Sequence, residues 1–527
     1  MTSFFSRLLT LPDPDPDDHP FTPDEVTALR AAVPPDADDV LDDATWRDLL
    51  LHRYTAAMLA PGTSIFGRQV LERDLRGGVS DDAVAARRAR VQALVDDPAQ
   101  LDALRRTLAC LRHADIDVAT LLFADTQPVR PGWVGRLLWL PVLLVASIAA
   151  ALLVSPWGWV GVGVAMYFLV MVHMRYQDRI GRWSRTLRAL QMLLRACSLL
   201  DGSGLALARA FAGRAAPAGR LSRLLDRSLL AASGVPGARE YADWFAAADV
   251  RHYYRTLDVV FGQRDFLRAC FWLCAELEAD VALARHLRGR QVWCWATRSD
   301  ARTVAVEGGV HPLLDEARGL SVTLDGKGAF LSGQNGVGKS TFLRMLGLNL
   351  VVARAFGFAY ARSASLPALP VVASMQNEDS LLGGQSLYIA ELARARSLLA
   401  RARGERPVIC LVDEIFRGTN HEESVSAATA VIDELARHAL VVVSSHNLVL
   451  GSLLAHALAP WRIVPGPDGL MMERGVLGRT NGVALLAEHG FDAAVQRKAE
   501  KVAGWLASQR QQLGSEPDFW KLSKIGL

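Results

Sequence analysis

The chain has 527 residues, with 58 Lys/Arg against 55 Asp/Glu and a formal net charge of +3. That length predicts two to four domains, and the near balance of charge excludes a basic nucleic-acid coat and an acidic tail protein. The six cysteines (Cys110, Cys197, Cys270, Cys274, Cys294 and Cys410) stand in apolar contexts without CxxC spacing. They predict buried, reduced thiols in a cytosolic setting.

Charge is unevenly spread along the chain. Residues 1–60 carry twelve acidic residues against four arginines, a balance of −8, which leaves +11 for the remainder. Residues 1–40 include LPDPDPDDHP and VPPDADD. Pro and Asp at that density cannot supply a core, so an extended or disordered acidic lead is expected. Phe4, Phe5, Leu8 and Leu9 make at most one short apolar turn, so no signal peptide is expected. Residues 41–136 take on helical periodicity, with few glycines or prolines after Gly78, and predict an all-α first half of a helical domain.

Leu137 to Val172 then runs for thirty-six residues without a charge. A bilayer crossing takes about 17–25 apolar residues, so residues 137–172 predict two tight transmembrane helices turning at Ser155-Pro156-Trp157. Arg130 and Arg136 precede the run, and Arg175, Arg179, Arg182 and Arg185 follow it. Positive charge at both ends puts both flanking domains in the cytoplasm, which makes this a multi-pass inner-membrane protein with the lipid bilayer as a partner. Trp133, Trp139, Trp157 and Trp159 fall near the expected interfaces. Residues 173–300 read as the second helical half. Arginines at 209, 214, 220, 223 and 227 fit a solvated face, a cytoplasmic-leaflet contact or DNA binding equally.

Residues 301–495 read as an α/β domain organised around FLSGQNGVGKSTFLRML (Phe330–Leu346). A hydrophobic strand leads into a turn carrying Gly333, Gln334, Asn335, Gly336, Val337 and Gly338, and Lys339, Ser340 and Thr341 open a helix. Such a turn lets backbone N–H groups curl around a phosphate while the helix N-terminus adds its dipole. Lys339 would reach the outer phosphates and Ser340 would ligate Mg²⁺. PVICLVDE (Pro407–Glu414) is an apolar run ending in two carboxylates, and LVVVSSH (Leu440–His446) is a second run ending in an imidazole. Both read as buried parallel strands delivering polar groups to the edge where open α/β sheets bind ligands. Asp413 would hold the Mg²⁺ water shell, Glu414 would orient or deprotonate the attacking water, and His446 would sense the γ-phosphate. Gln376, closing VVASMQ, is a further candidate near the metal or the water. ATP and Mg²⁺ are therefore the expected cofactors. Asp492–Ser508 reads as a cationic amphipathic helix, leading into a helical tail over residues 496–527.

DEIFRGTNHEES (Asp413–Ser424) resembles the DEIGRGTS segment of the MutS family of DNA mismatch-repair ATPases, and LLGGQSLYIAELARA (Leu381–Ala395) is similar to that family's signature segment. GVHPLL (Gly309–Leu314) and Leu470–Gly490, with Asn481 and Gly482, are similar to segments that flank the family's ATPase core. More loosely, PGTSIFGRQVLERDLRGG (Pro61–Gly78) and the AARRARVQALVDDP that follows resemble the start of its core or lever domain. The resemblance implies a P-loop ATPase of the ABC/MutS type preceded by lever helices. It also implies a homodimer in which Ser386 faces the nucleotide of the partner subunit, with DNA as a partner. The phosphate loop reads GQNGVGKS where the family has GPNMGGKS, and Phe416 and Asn420 stand where it has small Gly and Ser. Residues 1–40 leave no room for the family's mismatch-reading domain, so mismatch recognition itself is not expected. The readings carried forward are a membrane-anchored MutS-like ATPase acting on DNA or a DNA-bound partner, and a membrane-coupled ATPase switch with no nucleic-acid role. Glu414 speaks against a third, a nucleotide-gated structural protein that does not hydrolyse.

Overall fold

The computed structural model describes residues 18–35, 40–124, 131–132, 139–226, 248–314, 319–375, 387–466, 469–478 and 481–513. The chain divides into two compact units, Met1–Ala296 with Val351–Ala359, and Thr297–Leu350 with Tyr360–Leu527.

The first unit is helical. Its main helices are α1 (Pro23–Ala32), α2 (Ile65–Gly77), α3 (Asp81–Asp96), α4 (Pro98–Leu108), α5 (Trp139–Leu153), α6 (Gly158–Asp201), α7 (Ala248–Gly262) and α8 (Arg264–Arg288). Helix α8 is the centre of this unit, and α2 packs along it through Phe66 and Phe271, whose rings meet edge to face at 5.7 Å. Burying α2 leaves its first N–H groups without water, and a carboxylate from α8 takes them. Glu278 accepts the Ser64 N–H at 2.9 Å, the Ser64 hydroxyl at 2.5 Å and the Gly67 N–H at 3.0 Å. Burial pushes the Glu278 carboxyl above its ordinary range, and these hydrogen bonds pull the other way.

A second buried cluster ties α3 to α8. Arg87 lies 2.6 Å from Asp74 and 3.1 Å from Asp280, and Arg90 lies 2.5 Å from Asp280. Arg87 and Val91, both in the motif that resembles a lever helix, are buried core residues. Five of the six cysteines are buried. Cys197 Sγ on α6 sits 3.5 Å from Cys274 Sγ on α8.

Three features of this unit differ from the sequence reading. Residues 18–33 are folded, where an extended lead over 1–40 was expected. Thr22 and Glu25 form a reciprocal capping box with Pro23 at the first position of α1, and α1 docks on α2 through Arg30–Glu72 at 3.3 Å. Asp18 is also held, by the Gly62 N–H at 2.9 Å and by Arg112 at 3.1 Å. Residues 1–17 lie outside the described residues. Second, no boundary falls at residue 173, because α6 continues unbroken for 44 residues. Third, the apolar run forms a helical hairpin, but among the described residues only α6 is long and apolar enough to cross a membrane. The described part of helix α5 has 15 residues, about 22 Å of helix, and residues 133–138 before it lie outside the described residues.

The hairpin's two helices pack antiparallel through Leu144, Ala165 and Leu169. Small residues set their distance: a Cβ on Gly158 would lie 2.3 Å from Ala151 N, and one on Gly161 would lie 2.5 Å from Ser147 Oγ. The outer faces carry exposed Val145, Leu152, Trp157, Trp159, Tyr167 and Phe168.

The second unit holds a six-stranded sheet and a smaller four-stranded one that the sequence reading did not include. Its strands are β1 (Thr303–Gly309), β2 (Leu320–Asp325), β3 (Gly328–Gly333), β4 (Ser363–Leu366), β5 (Val371–Ser374), β6 (Ile409–Asp413), β7 (Leu440–Ser444), β8 (Leu458–Gly466) and β9 (Gly469–Arg474). The large sheet has the order β9-β8-β3-β7-β6-β5, all parallel except the edge strand β9. In the small sheet β1 runs antiparallel to both β2 and β4. Helices α9 (Lys339–Phe356), α10 (Leu387–Ala402) and α11 (His421–His438) follow β3, β5 and β6, and α12 (Ala493–Leu513) comes last. Every residue of β3, β6 and β7 is buried, as the unbroken apolar runs require of central parallel strands. Leu398 of α10 and Ile432 and Leu435 of α11 pack on Val412, Val441 and Val443.

Removing Arg87 takes the 2.6 Å partner from Asp74 and one of two guanidinium partners from Asp280, both carboxylates being buried. Arg87→Ala is expected to cost about 3–5 kcal/mol of stability, measured as a lowered midpoint in chemical denaturation. An unchanged midpoint would show that the cluster contributes nothing net.

Candidate nucleotide site at the ends of three parallel strands

Strand register decides what meets at the edge of the sheet. Ser444 of β7 pairs with Leu331 of β3 on one side and with Asp413 of β6 on the other. The three strands therefore end together, and the residues that follow them share one rim.

The loop after β3 closes on itself. Gly336 and Gly338 sit at φ +76° and +96°, conformations that a side chain would strain. Lys339 opens α9 and folds back, its Nζ donating to the Gly333 and Gln334 carbonyls at 3.1 Å each. Its side chain is buried. Burial lowers its pKa, and the nearby Glu414 and Asp413 carboxylates act against that. Ser340 and Thr341 occupy the first turn of α9. The loop is supported from outside the motif, since Asn335 N–H donates to the Asn481 side chain at 2.8 Å. Ser332 Oγ accepts Leu477 N–H at 2.9 Å and donates to the Trp461 carbonyl at 3.1 Å.

At the end of β6, Asp413 is 3% exposed and accepts a hydrogen bond from Ser444 Oγ. Its carboxylate and the Ser340 hydroxyl are hard oxygen donors of the kind Mg²⁺ takes. Glu414 adopts φ +51°, and its N–H donates to the Ser444 carbonyl at 3.0 Å. Its carboxylate is held at both oxygens, Oε1 at 2.8 Å from His446 Nε2 and Oε2 at 3.3 Å from Arg417 Nε. Burial raises the Glu414 pKa. The His446 hydrogen bond and the charges of His446, Arg417 and Lys339 outweigh it, leaving the group below its ordinary value.

Phe416 is the second residue of this loop at positive φ, +59°. It replaces the glycine expected from the family pattern, in a backbone conformation that glycine adopts without strain. Its ring is buried and packs edge to face on Tyr388 at 6.0 Å. The structure thus gathers Lys339, Asp413, Glu414 and His446 around the glycine loop, while Ser386 and Gln376 lie outside the described residues. Sequence reasoning assigned no role to Ser444, Arg417 or Asn481. Ser444 is a polar residue within an apolar strand and Arg417 lies three residues after Glu414, so both carried a signal. Asn481 stands out only within a family-like segment, and its partner Asn335 lies 146 residues away.

A family model described as MutS domain V matches residues 329–459, from β3 into β8. DNA mismatch repair protein MutS of Dinoroseobacter shibae is 29% identical over 271 residues, which is 47% of this chain and 31% of that protein. The protein of the same name from Rickettsia felis is 30% identical over 183 residues, 33% of this chain and 20% of that protein. That from Streptococcus sanguinis is 27% identical over 234 residues, 41% and 27% of the two chains. Residues 329–459 carry a MutS-family domain. The chain spans about a fifth to a third of the length of these relatives. The region that matches MutS domain V contains the glycine loop, Asp413, Glu414 and His446, and the hairpin of α5 and α6 lies before it.

Phe416 carries a left-handed backbone, at about 1–2 kcal/mol, and a buried ring whose loss typically costs about 3–5 kcal/mol. Phe416→Gly relieves the first and forfeits the second. A net destabilisation of roughly 2 kcal/mol is expected in thermal or chemical unfolding, and stabilisation by the glycine would refute this partition.

Proposed function

We propose that this chain is a membrane-anchored MutS-like ATPase that hydrolyses ATP at a composite interface between two copies. What supports this reading best is the convergence of the glycine loop, the Ser444-held Asp413 and the Glu414–His446 pair at the ends of three adjacent parallel strands. Phosphoryl transfer asks for positioning and charge stabilisation more than for covalent chemistry. The N–H groups of residues 333–341 cradle the phosphates, and the Lys339 ammonium turns from the loop carbonyls to the β/γ-phosphate oxygens. Ser340 and Asp413 hold Mg²⁺, which neutralises charge on the phosphates when bound. Glu414 accepts the proton of the attacking water, and His446 orients Glu414 and reads the γ-phosphate. Ser386 of each copy completes the other copy's site.

The membrane part of the reading rests on the exposed apolar faces of α5 and α6 and on the basic residues that follow them. Contiguous apolar surface of this kind marks a lipid or protein interface. The anchor places both flanking regions on the cytoplasmic side of the inner membrane. The ATPase cycle acts on DNA or on a DNA-bound partner. The observation that favours a switch without nucleic acid is that the family model matches residues 329–459 alone.

Glu414→Gln should cut turnover by about 10²–10⁴-fold while leaving nucleotide binding intact and trapping an ATP-bound dimer in size-exclusion chromatography. Wild-type turnover in that variant would refute the role of Glu414. Detergent-solubilised protein is expected to bind duplex or branched DNA with an affinity that falls with salt and changes with ATP. Salt-insensitive or absent binding to every form would leave the nucleic-acid-free switch as the function.

A further inference from the structure

The loop that carries Glu414 is gripped from a helix that belongs to a different part of the motif set. Glu391 lies in the second turn of α10, with its side chain 14% exposed. Its Oε1 accepts Arg417 N–H at 3.2 Å and its Oε2 accepts Gly418 N–H at 3.1 Å. The Arg417 side chain turns back between two acids, with Nε 3.3 Å from Glu414 Oε2 and 4.0 Å from Glu391 Oε1. Tyr388, one turn earlier on α10, stacks its ring edge to face against Phe416. It also closes over the loop so tightly that a Cβ on Gly418 would lie 2.7 Å from Tyr388 N.

Residues 414–418 are therefore pinned at two ends. The Glu414 N–H is tied to β7 through the Ser444 carbonyl, and the amides of Arg417 and Gly418 are tied to α10. Between these ties sit two non-glycine residues at positive φ, Glu414 and Phe416. Such backbone persists only where the surroundings over-determine it. Take away the two acceptors on Glu391, and the amides lose their partners while the strained pair is free to relax. The carboxylate of Glu414 then leaves the rim.

We propose that Glu391 is a positioning residue for ATP hydrolysis, holding the Glu414 loop through the Arg417 and Gly418 amides and so coupling the placement of α10 to the orientation of the water-activating carboxylate. The inference rests on the ATPase reading above. Its chemistry is indirect: Glu391 acts through backbone amides and Arg417, while Lys339, Asp413 and His446 complete the charged surroundings of Glu414.

The test uses the full chain in detergent, with steady-state ATPase rates, nucleotide affinity from a non-hydrolysable analogue, and thermal unfolding. Glu391→Ala is expected to lower kcat by about 10–100-fold, the scale of a misplacement near 1 Å, with KM and analogue affinity within about threefold of wild type. Glu391→Gln keeps one carbonyl acceptor and should recover part of that loss. Unchanged kcat in Glu391→Ala overturns the proposal. A parallel loss of analogue binding, or an alanine and a glutamine variant equally impaired, assigns Glu391 a structural role and overturns it as well. Wild-type turnover in Glu414→Gln gives a different pattern, refuting the role of Glu414 and with it any path from Glu391 through that carboxylate.

Discussion

The second unit depends on keeping a carboxylate charged and aimed at the rim of an apolar sheet. Burying an ionised group without partners costs several kcal/mol, and Glu414 meets that cost with His446 on one oxygen and Arg417 on the other. Lys339 faces the same problem in reverse. Its ammonium is buried and would lose its proton more readily, but the two acids at the end of β6 and the carbonyls of Gly333 and Gln334 sustain the charge. The three central strands can be apolar over most of their length because their polar side chains, Ser332, Asp413 and Ser444, stand at or next to their ends. The charged groups at the rim are therefore preorganised.

The first unit solves a related problem over longer sequence separations. Glu278 reaches the start of α2 from 211 to 214 residues away, and Asp280 meets Arg87 across 193 residues. The two halves of this unit thus close on each other with the hairpin inserted between them. These contacts carry buried charge, so they fix which faces of α2, α3 and α8 meet more sharply than apolar packing alone would. Closing loops of that length is entropically expensive, which suits interactions that are strong once made.

The legible part of the sequence was local chemistry. Gly336, Gly338, Lys339, Asp413, Glu414 and His446 were readable because each stands at the end of an apolar run, and a parallel strand of that composition has only one place to put a polar residue. What escaped was either non-local or hidden by a change of composition. The four-stranded sheet includes strands as short as Ser363–Leu366, too brief for alternation to announce. The capping box of α1 was present as Thr22-Pro23-Asp24-Glu25, but it was masked by the Pro/Asp density on either side. The supposed boundary at residue 173 followed a jump in hydropathy. Helical periodicity passes straight through it, with Tyr176, Trp183, Leu187, Leu190, Leu194 and Cys197 buried along one face.

That continuity bears on what the hairpin can do. A 44-residue helix is about 66 Å long, more than twice the thickness of a hydrocarbon core. Its first half exposes Val160, Val164 and Phe168, while its second half buries Leu187, Leu190, Leu193 and Leu194 in the core of the first unit. No flexible joint separates the two halves, so a tilt or rotation imposed on the apolar half reaches the packed half undamped over one rigid rod. Trp183 Nε1 donates to Thr256 of α7 at 2.8 Å, and the Tyr176 and Tyr254 hydroxyls meet at 3.0 Å. These bonds lock α6 to α7 just where its surface changes from apolar to packed. A segment serving only as a tether would need no such lock, since a mobile linker would hold the chain to a bilayer as well. The rigid junction argues that whatever covers the apolar face of the hairpin is mechanically joined to the helices around α8.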